Sequence, residues 1–98
     1  MKRALLAGLA LASVAACHAE VSVQDDSGHT VTLAAPANRV VSLAPHLTEM
    51  AFAVGGGDAL RGVIRYSDQP AAARQLPIVG DAFALDFEAI ARLKPDLV

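Results

Sequence analysis

The sequence predicts an α/β unit in which a parallel sheet is covered by helices and preceded by a β-hairpin. Three observations predict it. Valines alternate on either side of an Asp-Asp-Ser-Gly turn near the start. Short, almost continuous apolar runs follow, as suits strands covered on both faces. Between those runs lie stretches with helical spacing, and strands alternating with helices imply right-handed crossovers and parallel pairing.

The hairpin is read from "EVSVQDDSGHTVTLAAP", where Val21 and Val23, then Val31 and Leu33, alternate around Asp25-Asp26-Ser27-Gly28. "RVVSLA" (39–44) is the first buried strand. Leu47, Met50, Ala51 and Val54 then fall at i, i+3, i+4 and i+7, which predicts the buried stripe of a short helix. Glu49 is expected in its first turn, where negative charge suits the dipole, and Gly55 is expected to stop it. "LRGVIR" (60–65) is a second strand. In "YSDQP", Asp68 is expected to cap a further short helix with Pro70 in its first turn. "LPIVG" (76–80) is a third strand and "DAFALD" a loop. Asp86 reads as the N-cap of the last helix, with Leu85 and Ile90 placed as a hydrophobic staple. Phe87, Ile90 and Ala91 are its expected buried stripe, Pro95 ends it, and Leu97-Val98 begin a fourth strand.

Ahead of this unit, Lys2 and Arg3 precede the apolar run "ALLAGLALASVAA", the pattern of a secretory signal. The run is shorter than the ~20 residues that span a bilayer. Two endings compete. Ordinary cleavage after Ala19 makes residues 1–19 the leader. "VAAC" (14–17) also has the form of a lipobox, which makes residues 1–16 the leader and Cys17 a lipidated terminus. Both give an exported bacterial protein, with residues 20–98 as its folded part. The 8 basic and 10 acidic residues give a net charge of −2, and loss of Lys2 and Arg3 leaves 6 against 10, or −4. An acidic exported domain is a poor partner for nucleic acid. Cys17 is the sole cysteine, so no disulfide forms within the chain. The run "LKPDLV" stops in the first residues of an apolar stretch, the expectation for an N-terminal piece of something longer.

Chemistry is expected outside the carboxyl ends of the strands. Three segments reach that edge: Pro45-His46-Leu47, Tyr66-Ser67-Asp68, and Gly80-Asp81-Ala82-Phe83. His46 has no second His or Cys at metal-ligand spacing, so it reads as a rim residue. Ser67, His46 and Asp68 include the residue types of a hydrolase triad, but Ser67 lacks the glycines of a nucleophile elbow. Gly55-Gly56-Gly57 closes a helix rather than opening one, so it is no phosphate cradle. Tyr66, before polar Ser-Asp, reads as an exposed aromatic platform, with a plain core position as its rival. Glu88 reads as a solvated first-turn residue. No general acid/base pair stands out, which favours binding over catalysis. The other classes in play are a secreted serine hydrolase and an exported structural or adhesive domain.

"RVVSLAPHLTEMAFAVGGGDALRGVIRYSDQP" and "LPIVGDAFALDFEAIARLKPDLV" resemble the periplasmic substrate-binding proteins of ABC importers for cobalamin, part of a wider group that also serves haem and ferric siderophores. The strand-turn-helix "RVVSLAP…TE" and the run "DFEAIARLKPDLV" carry the group, and "YSDQP" carries the cobalamin subgroup. The resemblance implies two α/β lobes joined by one long rigid helix, with ligand in the cleft between them. This chain then holds the first, Rossmann-like lobe. It implies that Tyr66 packs against the corrin and that the loop Gly80 to Ala84 faces the ligand; with the strand-end residues, the expected ligand-binding set is Tyr66, Pro45, His46, Ser67, Ala82 and Phe83. It also implies that Glu88 meets arginines of the inner-membrane permease. Some relatives carry a Trp near Ala82-Phe83. This sequence has none, and Phe83 is the aromatic at that place. The implied protein is a monomeric periplasmic carrier that captures a metal chelate, delivers it whole, and needs no cofactor.

Overall fold

The computed structural model describes residues 19–98. The leader, its two alternative cleavage points and Cys17 lie outside the described residues, apart from Ala19 itself. The hairpin forms as the alternation predicts: β1 (Val21–Gln24) pairs antiparallel with β2 (Thr30–Leu33), Val21 opposite Leu33 and Val23 opposite Val31. Asp25 organises the turn, its Oδ1 accepting from the backbone N–H groups of Ser27 and His29 at 2.9 Å each.

β3 (Val40–Ser42) and β4 (Leu60–Val63) pair in parallel, with a register irregularity after Val40. Two further segments extend this pair without becoming full strands. Leu97 bridges Val40 on one side, and Ile78 bridges Val63 on the other, both in parallel. The expected third and fourth strands are therefore single-bridge segments, in the spatial order 97, β3, β4, 78. Proline explains part of this on the third: Pro77 has no N–H, and the segment bonds through Pro77 O and Val79 N, both to Val63. The core is small and lies along these segments: Val41, Leu60, Val63, Ile64, Ala73 and Val79 are buried.

α1 (Pro45–Ala53) starts with proline at its first position, where the missing N–H costs nothing. Its first turn holds no acidic residue, because Glu49 falls one turn further on. It ends in a Schellman motif: Gly56 N–H bonds Ala51 O at 2.7 Å, and Gly55 N–H bonds Phe52 O at 3.1 Å. Gly55 has φ +83°, as the motif demands. The buried face differs from the expected stripe. Thr48 is fully buried, whereas Leu47, Met50 and Val54 are 48%, 59% and 84% exposed. Apolar residues run round most of this helix, so spacing alone does not select a face. The hydroxyl of Thr48 does, through bonds described below.

Asp68 caps no helix. The segment after Pro70 is a 3-10 turn over Ala71–Gln75, whose entry carries no side-chain cap. Its Arg74 Nε instead donates to Asp68 O at 3.0 Å. α2 (Phe87–Arg92) begins at the expected cap, Asp86 Oδ1 accepting from Ala89 N–H at 2.9 Å. Its buried side is again displaced. Phe87 is 75% exposed and Ala91 is exposed, while Ala89, Ile90 and the following Leu93 turn inward. Gly62 sets this. A Cβ there would lie 2.6 Å from Leu93 Cδ1 and 3.0 Å from Val79 Cγ1, so the bare backbone of β4 is the seat on which Leu93 rests.

The two ends of the unit are clasped. Arg39 Nε donates to Leu93 O at 3.0 Å and reaches Lys94 O at 3.2 Å, covering carbonyls at the end of α2. Asp96 answers with its carboxylate, accepting from Asn38 N–H at 3.0 Å and Arg39 N–H at 2.9 Å. These backbone donors hold the Asp96 carboxyl below the usual carboxylate range.

Candidate functional site

Because the paired segments are parallel, their carboxyl ends share one edge. Leu43, Ala44 and Pro45 leave β3 there, Ile64, Arg65 and Tyr66 leave β4, and Asp81, Ala82 and Phe83 leave the third segment. Together they line an open groove of about 480 Å³. The backbone joins its walls, Arg65 N–H donating to Gly80 O at 2.9 Å.

Two aromatic side chains stand on its rim. Phe83 is 97% exposed. The loop behind it is closed on itself: Asp81 Oδ1 accepts from Phe83 N–H at 2.9 Å and Ala84 N–H at 3.0 Å, and Asp81 N–H donates to Ala84 O at 2.9 Å. The amides of Phe83 and Ala84 lower the Asp81 carboxyl from its usual range, aided by the Arg65 charge. Gly80, at φ +147°, lets the chain turn back so closely that a Cβ would strike the Ala84 carbonyl and lie 2.8 Å from Leu85 Cα. Tyr66 is 76% exposed and sits at φ 69°, a left-handed conformation that costs a non-glycine residue about 1 kcal/mol. Such conformations persist where the surroundings over-determine them, often at ligand sites.

Of the residues expected to bind ligand, Pro45, Tyr66, Ala82 and Phe83 line the groove. His46 and Ser67 do not. His46 is exposed at the second position of α1. Ser67 is 5% exposed and points into the fold. Its Oγ lies 3.2 Å from Thr48 Oγ1, which donates to Ser42 Oγ at 2.9 Å, and Ser42 Oγ donates to Ala44 O at 3.1 Å. One proton order satisfies all three hydroxyls: Ser67 to Thr48, Thr48 to Ser42, Ser42 to the carbonyl. Ser67 is thus a strut that holds the groove's first and second walls together. The hydrolase alternative fails on the same geometry, since the buried Ser67 hydroxyl meets neither His46 nor Asp68. Glu88 is exposed in the first turn of α2, as expected. Leu43, Ala44, Ile64, Arg65 and Asp81 are groove residues that the ligand-binding set omits. Their signal is position, since each flanks a strand end already assigned to the edge. Among the described residues no cluster of three or more His, Cys, Asp or Glu side chains forms a metal site, and no helix is long and apolar enough to cross a membrane.

Residues 40–98, from β3 onward, match the sequence profile of the periplasmic binding protein family. The chain belongs to that family. A vitamin B12-binding protein of Vibrio vulnificus is 51% identical over 65 residues, which cover 66% of this chain and 24% of that protein. Among solved structures, the periplasmic vitamin B12 binding protein BtuF of Vibrio cholerae superposes with a TM-score of 0.61 at 48% identity, over 63% of this chain and 25% of that one. A periplasmic heme binding protein from Pseudomonas aeruginosa superposes with a TM-score of 0.60 at 40% identity, over 63% of this chain and 23% of that one. The chain spans about a quarter of the length of the curated relatives it matches. The matched residues 40–98 include β3, α1, β4 and the groove edge of this chain.

Proposed function

We propose that this chain supplies one ligand-binding wall of a periplasmic substrate-binding protein, which captures a cobalamin-type metal chelate and delivers it to an ABC importer permease. The observation that carries the reading is the pair of exposed aromatics, Tyr66 and Phe83, on the rim of a largely apolar groove at the strand ends. Exposed aromatic rings are large apolar surfaces that gain by being covered. A flat macrocycle offers the matching face, and the likeness to vitamin B12-binding proteins supports a corrin. The likeness to a heme binding protein at 40% identity supports haem as the second reading. Binding makes and breaks no covalent bond in the ligand. Apolar and aromatic contact gives affinity, and a few polar groups give orientation.

The carrier is a monomer in the periplasm, exported by the leader at residues 1–19 or anchored through Cys17. Glu88, exposed on α2, docks on arginines of the permease, which a carboxylate engages bidentately.

A single open groove covers only part of a ligand, and tight sites bury most of it. Cobalamin and haem are titrated into the 98-residue chain, and into a chimera that continues it with the residues following the matched segment in the Vibrio cholerae protein. The expected result is weak binding by the chain and tighter binding by the chimera, with cobalamin preferred. Equal affinity of both proteins refutes the wall model, and binding of neither ligand refutes the function.

A further inference from the structure

Five arginines lie among the described residues. Three are committed to main-chain carbonyls: Arg39 to Leu93 O, Arg61 to Asp58 O at 2.8 Å, and Arg74 to Asp68 O. Arg65 is placed differently. Its backbone is pinned by the bond to Gly80 O, it is one of the residues lining the groove, and its guanidinium makes no hydrogen bond among the described residues. The groove's other charged residue is Asp81, whose Oδ1 is already occupied by the two amides of its own loop. Arg65 acts on Asp81 only through its charge, with no hydrogen bond between the two side chains. The remaining wall is Leu43, Ala44, Pro45, Ile64, Tyr66, Ala82 and Phe83. An uncommitted guanidinium beside two exposed rings is equipped to meet an anion on the margin of a ligand whose face covers those rings.

We infer that Arg65 is the specificity residue of this wall and that it binds an anionic substituent, a carboxylate or a phosphate, carried at the edge of the ligand. The inference rests on the ligand-binding reading of the groove and adds to it the ligand's orientation. The anion lies beside β4, and the flat face lies across Tyr66 and Phe83. Cobalamin carries such a group as its phosphodiester, and haem carries two as propionates.

The test uses two matched pairs of probes, cobalamin with cobinamide, which lacks the phosphodiester arm, and haem with its dimethyl ester. Affinities are measured by absorbance titration in the 98-residue chain and in the chimera, for the unaltered protein, Arg65→Gln and Arg65→Lys. Arg65→Gln is expected to weaken the anionic member of the preferred pair about ten- to hundredfold, the scale of one charge-assisted hydrogen bond, and to leave the counterpart that lacks the anionic group unchanged. Added salt weakens the anionic probe in the unaltered protein and in Arg65→Lys, and does so much less in Arg65→Gln. The pair that responds identifies the anion as phosphate or carboxylate. Equal loss on both members of each pair, or loss on neither, overturns the inference while leaving the ligand site standing. Failure of the unaltered protein to bind any of the four probes overturns the site itself.

Discussion

Thr48 Oγ1 lies 3.2 Å from Ser67 Oγ, and both side chains are buried. The contact fastens the first turns of α1 to the bend after β4, so two walls of the groove share a support that no ligand touches. Thr48→Val keeps the shape and removes the hydroxyl, leaving the buried Ser67 hydroxyl without its partner while Ser42 keeps its bond to Ala44 O. The expected cost is about 1–3 kcal/mol, the penalty for orphaned buried polar groups. Urea unfolding checks it as a lower midpoint at unchanged slope. An unchanged midpoint removes the strut.

Gly62→Ala should destabilise through the 2.6 Å approach of its new Cβ to Leu93 Cδ1. Overpacking of this kind costs about 1–3 kcal/mol. Leu93→Ala also destabilises, by loss of packing. The double variant should lose less than the sum of the two, because the methyl group added to β4 then occupies space that the leucine side chain vacates. A double-mutant cycle by denaturation measures that coupling, and strict additivity contradicts the seat.

Asp96 provides the pH dependence. Its folded carboxyl is held below the ordinary range, chiefly by the Asn38 and Arg39 amides. A lowered folded pKa gives stability that is present above the unfolded value, near 3.9, and lost as pH falls through the folded value. At neutral pH the unaltered chain should therefore exceed Asp96→Asn in stability. The gap should begin to close below about pH 5 and vanish in stronger acid. Unfolding midpoints for both proteins across that range check the sign, and a gap that widens on acidification is the contrary result.

Tyr66 separates fold from function. At φ 69°, Tyr66→Gly relieves the left-handed conformation, whereas Tyr66→Ala keeps it. The glycine variant should be the more stable of the two by about 1 kcal/mol. Both should bind the chelate less tightly, by on the order of tenfold, since both lose an exposed aromatic face. Loss of stability in both variants with unchanged affinity makes Tyr66 a structural residue.

Glu88→Arg should leave ligand affinity intact and impair importer-coupled uptake. The side chain is exposed, so the fold does not depend on it. If Glu88 docks as proposed, charge reversal turns attraction for permease arginines into repulsion, and for the unaltered protein uptake should fall with rising salt. Uptake by reconstituted importer, measured beside ligand affinity, is the check, and normal uptake by the reversed variant rules the docking role out.

Local signals were readable where the chemistry is local. The Asp-Asp-Ser-Gly turn, the runs that became β3 and β4, the Gly55 stop and the Asp86 cap each depend on a few neighbouring residues, and each stands in the structure. Burial of the helices depends on distant partners. α1 is apolar at Leu47, Met50, Ala51, Phe52 and Val54, so periodicity could not choose among its faces, and a hydroxyl bond to Ser67, nineteen residues away, chose Thr48. α2 turned on Leu93 because Gly62 left it room. The same reason governs the site. Its edge followed from parallel strands, and four of the six residues expected to bind ligand line it. Ser67 was drawn inward by that network, and Arg65 looked like an ordinary charged strand end because nothing nearby in sequence shows that its guanidinium goes unused.

The order of segments across the sheet has a consequence for how the chain is made. β3 is the first segment of this sheet to be synthesised, yet it lies inside, between Leu97 and β4. Until Asp96 and Leu97 leave the ribosome, one side of β3 shows unpaired N–H and C=O groups. An open strand edge invites pairing with another chain. A nascent polypeptide halted at Lys94 should therefore self-associate more readily than one extended by only four further residues to Val98. Asp96 and Leu97 act as an edge guard for the first buried strand.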